Sequence, residues 1–598
     1  MKRYILFSTI ALIVLAACGT TTVGVPASGA VPRDGKFVGS GMGVFGPVTV
    51  AVTFKDGTIT LVRHLSSNET NYIGDAAIGT IPAQITQYQS LRVDSVAGAT
   101  ITSGAIKGAI RQAVIKAGGD PAIFETPVTY PVPEKKTVEK NVDVVIMGGG
   151  GAGLMAAWTL VKEGKSVIVF EKMSFLGGCL VTSAGAIASV DTKVHKAYGP
   201  ERLSTAYTRS LANFIATYKT VVDPASPWAN PDVPFSTRLV TYGSKVVDML
   251  YDEGLGFTTP GRYGNQPYVL PSPINKQGSA LLVDLVLDRI NRAGGCEIIT
   301  SAPVTELLTE DGRVVGAVAQ GADGVTYRVS SKAVILASGG FAQNKEMMQQ
   351  YNPDYINFYI QAPVSATGDG LILAQKAGAD YVCMDTGMTS FFTAYNSKRP
   401  IPFLHLSVPL VLVNAQGERF TNERGSYKKY LHEFEKPEHG GRFYFVFDAE
   451  GAAITMASLS YPNFLFDTGD LLEFDGIDEM ARKLNLPNLA ATVNTTMSNA
   501  LTETADPLGN PRLPVFELNN KMYALRVENG PYITHGGVKT DVDTRVLTPA
   551  DAPIPGLYAA GDVTGSAECR DGVAYGNGAT QALAFGVVVG ETVVKDIR

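Results

Sequence analysis

The sequence predicts two folded units in one chain: a small α+β unit near the N-terminus, then a larger, doubly wound α/β unit interrupted by an inserted cap segment. Three observations predict it. Gly35 to Gly41 and Pro47 to Phe54 alternate as strands do and give way to a helical period after Ser103. A proline-rich break follows. From Val142 onward, short apolar strands alternate with glycine-rich turns and helices, the pattern of a largely parallel sheet covered on both faces. At 598 residues the chain is too long for one core, so two to four domains are expected.

Composition excludes more than it assigns. Hydrophobic residues at 45% and charged residues at 18% describe a globular chain without disordered or fibrous bias. The net charge of -6 is mixed along the chain and gives no electrostatic basis for nucleic acid binding.

The elements follow in order. Lys2 and Arg3 precede an apolar run from Tyr4 to Ala17, too short to span a bilayer comfortably, so residues 1–17 read as a targeting segment. Its end, Leu15-Ala16-Ala17-Cys18, resembles a bacterial lipoprotein signal. That resemblance implies cleavage before Cys18, lipidation of its thiol and an extracytoplasmic, membrane-anchored protein; an ordinary secretory signal is the alternative. Residues 18–33, rich in Gly and Thr, read as a tether. Residues 34–120 form the first unit, with Asp56-Gly57 as a turn between strands and Ser103–Ala117 as an amphipathic helix. Residues 121–140, with four prolines and several charges, are a semi-rigid linker. The α/β unit occupies 141–384 and 531–598. Residues 385–530 break its rhythm with loops, aromatics and short helices and read as the inserted cap.

The cysteines after Cys18 are Cys179, Cys296, Cys383 and Cys569. No C-x-x-C pair occurs, so zinc and thioredoxin chemistry have no support, and no metal site is expected. The absence of C-x-x-C-H argues against covalent c-type haem. Scattered thiols in an exported protein suggest burial or an anaerobic life.

Gly148-Gly149-Gly150-Gly151-Ala152-Gly153 follows the first parallel strand and opens a helix. Gly148 serves the tight turn, Gly150 the close approach of backbone to a pyrophosphate, and Gly153 the packing of helix on strand. The N–H groups of Gly151 and Ala152 begin the helix, where its dipole favours phosphate. Glu171 ends the second strand about twenty residues on, where a carboxylate can accept ribose hydroxyls. Strand, helix, second strand and terminal acid together make a Rossmann-like dinucleotide site.

FAD rather than NAD follows from further segments: Gly177-Gly178 with Ser183-Ala184-Gly185, Ala337-Ser338-Gly339-Gly340-Phe341, and Ile554 to Asp562. In these the chain resembles the fumarate reductase/succinate dehydrogenase flavoprotein superfamily, in particular its flavocytochrome c-like and urocanate reductase-like branch, over residues 141–598. Thr367-Gly368-Asp369-Gly370, Val413-Asn414, Gly417 to Glu423 and Gly536-Gly537 also match. The resemblance implies non-covalent FAD, with Asp562 on the ribityl chain and the helix near Ala579-Thr580-Gln581 against the flavin N1/O2 edge. It also numbers Lys172, Val304 and Asp369 among the cofactor contacts. Asp94-Ser-Val-Ala-Gly-Ala-Thr100 resembles the flavinylation motif of FMN-binding domains, which implies FMN joined through phosphate to Thr100; Ala97 stands where the motif usually has serine or threonine.

The family pattern then fails at the substrate. The proton-donor arginine, four residues after the Glu of R-F-x-N-E, is Tyr427 here. The Glu and Arg that relay its proton are Phe403 and Leu406, the carboxylate-clamping arginine is Val573, and a histidine before the Gly-Gly pair is Ile533. A dicarboxylate needs bidentate guanidinium partners, so fumarate is not the expected substrate, and urocanate is doubtful on the same ground. Tyr427 is the candidate proton donor, or a packed cap tyrosine. His535 is a candidate for binding substrate or the flavin edge, or a structural residue. Arg570 is a candidate substitute clamp, or the partner of Asp571 in a surface ion pair. Tyr575 is a candidate pocket residue, whereas His405 and His432 read as bystanders.

The expected function is reduction of an activated C=C bond in an enoate, enone or aromatic acrylate. Electrons pass from a membrane donor (quinol or flavoprotein) through FMN to FAD, after a flavin transferase has attached the FMN. Dehydrogenation of saturated, ketosteroid-like substrates is the alternative, and an FMN electron carrier with an idle FAD domain is a third reading.

Overall fold

The computed structural model describes residues 29–183, 185–198, 211–220, 222–258, 261–263, 266–271, 278–401, 408–424, 433–457, 463–518, 520–572 and 578–598. Cys18, Ala184, Phe403, His405, Leu406, Tyr427, His432, Val573 and Tyr575, singled out above, lie outside the described residues. The chain divides into two compact units. One is drawn from residues up to Gly43, Pro47–Ser67 and Ala77–Pro131; the other from Val44–Gly46, Asn68–Ala76 and Val132–Arg598.

In the first unit β1 (Gly35–Met42), β2 (Pro47–Lys55) and β3 (Thr58–Ser66) form an antiparallel sheet in that order. Asp56 and Gly57 both have positive φ, 50° and 73°, the backbone of a type I′ hairpin turn. A helix absent from the sequence reading, α1 (Ile73–Tyr88), follows, with Pro82 inside it; it belongs to this unit from Ala77 onward. The expected helix is α2 (Thr100–Lys116), starting three residues earlier than Ser103. It lies on β1 because Gly39 and Gly41 carry no side chain: a Cβ there would fall 1.9 Å from the Ala109 carbonyl oxygen and 2.1 Å from that of Ala105.

In the second unit β4 (Lys136–Met147), α3 (Gly151–Lys162) and β5 (Val167–Phe170) form a parallel βαβ unit. Next come α4 (Pro234–Asp252), α5 (Gly278–Ala293), β6 (Cys296–Ile299), β7 (Val304–Glu310), β8 (Arg313–Gln320) and β9 (Val325–Leu336). β4 begins six residues before Val142, inside the segment read as linker. Its charged first half pairs in parallel with β9 from Lys136↔Val325 to Met147↔Leu336.

The inserted segment carries the expected loops and short helices (Ala449–Ala457, Phe464–Asp467, Ile477–Leu484 and Leu489–Leu501), and to these the structure adds a sheet that the sequence reading did not include. β10 (Met388–Ala394), β11 (Val411–Val413), β12 (Phe443–Asp448), β13 (Leu471–Phe474) and β14 (Met522–Thr534) make an antiparallel sheet with β14 paired to β10, β12 and β13. The chain then returns with β15 (Pro553–Ala559), α6 (Ala567–Arg570) and α7 (Gly578–Asp596).

The main sheet runs β7-β8-β9-β4-β5-β6, with β15 parallel to the end of β9. Both of its faces are covered. Val144 and Ile146 of β4 enter one core with α3, α4, α5 and α7, while Val145 and Met147 enter a second core on the other face. Strands buried on both sides carry no polar alternation, which is why β4 and β5 end in continuous apolar runs.

Candidate flavin and substrate site

The turn after β4 is shaped by absent side chains. Gly148 has φ +111°, and a Cβ there would lie 2.3 Å from the Ala337 carbonyl oxygen. A Cβ on Gly153 would lie 1.9 Å from the Gly148 carbonyl oxygen, so α3 can sit on this turn only with glycine. Gly150 is different: its Cβ position meets only Gly178 Cα, at 3.8 Å. Gly150 and Gly177 are bridged in parallel, and Gly177 N–H donates to Gly149 O at 2.8 Å. The two glycine turns thus lie side by side with open backbone between them. Gly150 caps α3 without a side-chain acceptor, and the helix N-terminus leaves N–H groups without intrahelical partners. Gly151 and Ala152 form its buried first turn. This cradle fits a pyrophosphate.

Glu171 is buried, and burial raises its pKa above the ordinary carboxylate value. Its oxygens accept the N–H groups of Gly149 and Met173, each at 2.8 Å. The acid therefore fixes the glycine turn as well as ending β5. Lys172 and Asp369 form an ion pair of 2.7 Å, with Thr367 hydroxyl bonded to both. Val304 is buried at the start of β7. Ser183 Oγ donates to Leu180 O at 2.8 Å and accepts Gly185 N–H at 3.0 Å. A Cβ on Gly339 would meet nothing within 4 Å, whereas one on Gly340 would meet Thr534 Oγ1 at 2.4 Å. Beside them Ser338 Oγ is buried without a partner among the described residues, a further polar atom that a bound group could satisfy.

Asp562 stands after β15 with burial lifting its carboxyl to about 7. Cys179 and Tyr532 lie close enough to interact with it electrostatically, and burial raises both of their pKa values well above ordinary. Tyr532 hydroxyl and Thr182 Oγ1 are 2.6 Å apart. Gly578, at the start of α7, would place a Cβ 3.7 Å from Asp562 Oδ1. Thus a carboxylate, two hydroxyls, a thiol and a helix N-terminus converge, as a ribityl chain and flavin ring edge would need. Ala579 follows on the same turn. Thr580 Oγ1 accepts Ala188 N–H at 2.9 Å, which pins α7 to the strand at Ile187–Ala188. Thr182, Tyr532 and Cys179 were not singled out as site residues from sequence.

On the cap side, His535 joins two segments: Nε2 lies 3.3 Å from Thr389 Oγ1 of β10 and Nδ1 lies 3.3 Å from Ser566 Oγ at the start of α6. The ring of Phe391 packs 5.6 Å from that of Tyr532. The surface ion pair weighed for Arg570 does not form. Asp571 is fully buried and accepts N–H groups of Ser236 (2.6 Å) and Phe235 (3.4 Å) at the start of α4. Arg570 instead donates to Thr540 O at 2.7 Å and stacks 3.9 Å over the Phe235 ring. Glu423 belongs to a buried cluster: Arg419 bonds both its oxygens (2.6 and 2.8 Å) and both oxygens of Asp506 (2.8 and 3.1 Å).

In the first unit Thr100 is exposed at the first position of α2. Ala99 caps the helix without a side-chain bond, and Gly98 has φ +80°. An open helix N-terminus and an exposed hydroxyl coincide there, a geometry that suits a phosphate ester.

The glycine cradle, the acid at the end of β5 and the Asp562 cluster define an FAD-dependent flavoprotein oxidoreductase. Comparison with known proteins gives the same class: the FAD binding domain model matches residues 143–579 and the FMN-binding domain model matches residues 43–115. The chain belongs to the family described by that FAD binding domain, within its fumarate reductase-like and urocanate reductase-like flavoproteins. It is 28% identical to the NADH:acrylate oxidoreductase of Vibrio harveyi over 94% of its own length, while spanning 61% of that protein. It is 28% identical to the urocanate reductase of Eggerthella lenta, covering 91% of this chain and 89% of that one. Among solved structures, the open conformation of a flavocytochrome c3 fumarate reductase superposes with a TM-score of 0.63 at 26% identity, over 77% of this chain and 79% of that one.

Proposed function

We propose that this chain reduces an activated C=C bond in an enoate, enone or aromatic acrylate carrying at most one carboxylate, and that fumarate is not its substrate. The observation that carries this reading is the pairing of an intact FAD cradle with a substrate end whose two arginine positions hold Tyr427 and Val573. Relatives named for acrylate and for urocanate reduction support the reaction class. A dianion brought under the cap without guanidinium partners has a desolvation cost that nothing offsets.

Bound FAD supplies the hydride. The chain's own residues hold the cofactor and manage the proton. The Gly148–Gly153 turn and the N-terminus of α3 would hold the pyrophosphate, and Asp562 and the start of α7 would hold the ribityl and ring-edge side, where the helix dipole would stabilise negative charge. Tyr427 gives the proton to the carbon next to the activating group. His535, held between Thr389 and Ser566, donates a hydrogen bond to the activating carbonyl. Thr100 would hold FMN, which would supply the route for electrons from a membrane donor, and lipidation at Cys18 would keep the protein at the outer face of that membrane. A flavin transferase supplies the FMN ester.

Turnover of an acceptor panel with reduced viologen tests the reaction. Aryl acrylates and enones should be reduced and fumarate should not. Fumarate turnover at a comparable rate would overturn the assignment, as would inactivity towards every unsaturated acceptor. Labelling with radioactive palmitate, lost in Cys18→Ser, tests the anchor.

A further inference from the structure

Three backbone stretches meet beside His535. Tyr381 and Val382 pair with Val538 and Gly537. Val538 N–H donates to Val563 O at 2.9 Å, and Ser566 N–H donates to His535 O at 2.8 Å. The approach is closer than any side chain permits, since a Cβ on Gly536 would lie 2.4 Å from Met384 Cα and 2.6 Å from Cys383 O. This frame places Cys383, one residue beyond the first stretch, against Cys569 of α6, and the two thiols are hydrogen bonded. Thr386 ties the two residues together: its Oγ1 donates to the Cys383 backbone carbonyl at 2.7 Å and lies 3.2 Å from Cys569 Sγ. Cys383 is held at φ +57°, an uncommon conformation for a residue with a side chain. Cys383 is buried, Cys569 is half-buried, and no disulfide joins them.

We propose that Cys383 and Cys569 are a redox-active dithiol, oxidised to an intrachain disulfide by exchange with a low-molecular-weight disulfide, and that closing this bridge lowers turnover at the adjoining His535 site. The electrons balance without a metal. Cys569, the more accessible thiol, loses its proton and attacks the small disulfide, releasing one thiol and leaving a mixed disulfide. Cys383 then loses its proton and displaces the second small thiol. Two protein S–H groups are oxidised, and one small disulfide is reduced to two thiols. Because the backbone frame already sets the two side chains together, shortening to an S–S bond of about 2.05 Å needs side-chain rotation and little chain movement. That rotation pulls Cys569 Sγ from Thr386 Oγ1; the small backbone adjustment that remains falls on the turn where Cys569 N–H donates to Ser566 Oγ at 3.2 Å, and Ser566 is the partner of His535 Nδ1. Burial and the neighbouring thiol hold the Cys383 proton tightly, so closure is slow at neutral pH and faster in alkali.

The test equilibrates the full-length, flavin-loaded protein in glutathione buffers of rising oxidised fraction. Remaining thiols are then alkylated and the peptides mapped by mass spectrometry. The expected result is one cross-linked species joining the Cys383 and Cys569 peptides, lighter by two hydrogens and reversed by dithiothreitol, with Cys179 and Cys296 alkylated throughout. Cys383→Ser and Cys569→Ser should each abolish it. Viologen-driven turnover should fall several-fold as the bridge closes, and should not fall in Cys569→Ser. The proposal is overturned if both cysteines stay separate in the most oxidising buffer, if glutathione adducts alone accumulate, or if bridging leaves turnover unchanged. The second half rests on the reductase reading. Should no acceptor be reduced by the thiol form either, that reading fails and the cross-link alone decides whether the dithiol exists.

Discussion

Glu171 accepts the N–H of Gly149 at 2.8 Å, so the end of one parallel strand fixes the glycine turn that follows its neighbour. The interaction is charge-assisted and buried, where such bonds contribute about 1.5–3 kcal/mol. Replacing Glu171 by Ala leaves the Gly149 and Met173 N–H groups without their acceptor and loosens the turn. FAD retention should weaken by about 10- to 100-fold, measured as flavin absorbance per protein after gel filtration and as the dissociation constant on re-addition of FAD. A variant that retains full FAD would show that the acid does not organise the site.

Arg419 holds two carboxylates at once, Glu423 and Asp506, and all three side chains are buried. Removing the cation strands two anions, a change that typically costs about 3–5 kcal/mol. Arg419→Met should lower the thermal midpoint of the full chain by several degrees. The double variant Glu423→Gln/Asp506→Asn in the Arg419→Met background should recover part of it. Equal melting of wild type and Arg419→Met would assign the cluster no role in stability.

The parallel βαβ core was legible because glycines at Gly148, Gly150 and Gly153 fall between two apolar strands and each has a different steric reason. The cap sheet was not. Its strand Phe443–Asp448 is buried along its whole length and shows no alternation, while the central strand Met522–Thr534 carries Gly530-Pro531, which reads as a turn. Helix Ile73–Tyr88 was hidden by Pro82 and a weak apolar stripe. In the site, Asp562 and His535 carried sequence signals through their glycine neighbours. Thr182, Thr389, Tyr532 and Ser566 carried none, since they come from four distant segments that only the folded chain brings together.

Thr100 combines an exposed hydroxyl with an open helix N-terminus. Thr100→Ala should abolish the fluorescent flavin band that survives denaturing electrophoresis, while Thr100→Ser should retain it. A band persisting in the alanine variant places the ester on another residue.

Tyr427 stands four residues after Glu423, the spacing at which the sequence resemblance implies a proton donor. If its phenol delivers the proton, Tyr427→Phe should lower viologen-driven turnover by about 10²- to 10⁴-fold with FAD content unchanged. Unchanged turnover would remove the tyrosine from the mechanism and leave His535 as the group to substitute next.

Asp562 makes the flavin-free protein sensitive to pH in a direction opposite to that of most acids. Burial raises its folded pKa from 3.8 to about 7, so between these values the folded chain binds a proton that the unfolded chain has released. Stability from this group is therefore full below pH about 4 and declines as pH rises to about 7, then stays level. His195 acts in the other sense. Its folded pKa is lowered from 6.5 to about 4 by burial, so its contribution is lost as pH falls through that interval. A melting profile of the wild type alone mixes the two. The difference between wild type and Asp562→Asn isolates the acid: flavin-stripped wild type should lose stability relative to the variant between pH 4 and pH 7, and the gap should be constant above. In His195→Gln the slope of opposite sign over pH 4 to 6.5 should flatten. A wild-type-minus-Asp562→Asn difference that does not vary with pH would mean the carboxyl is solvated in the empty cradle and titrates as an ordinary acid.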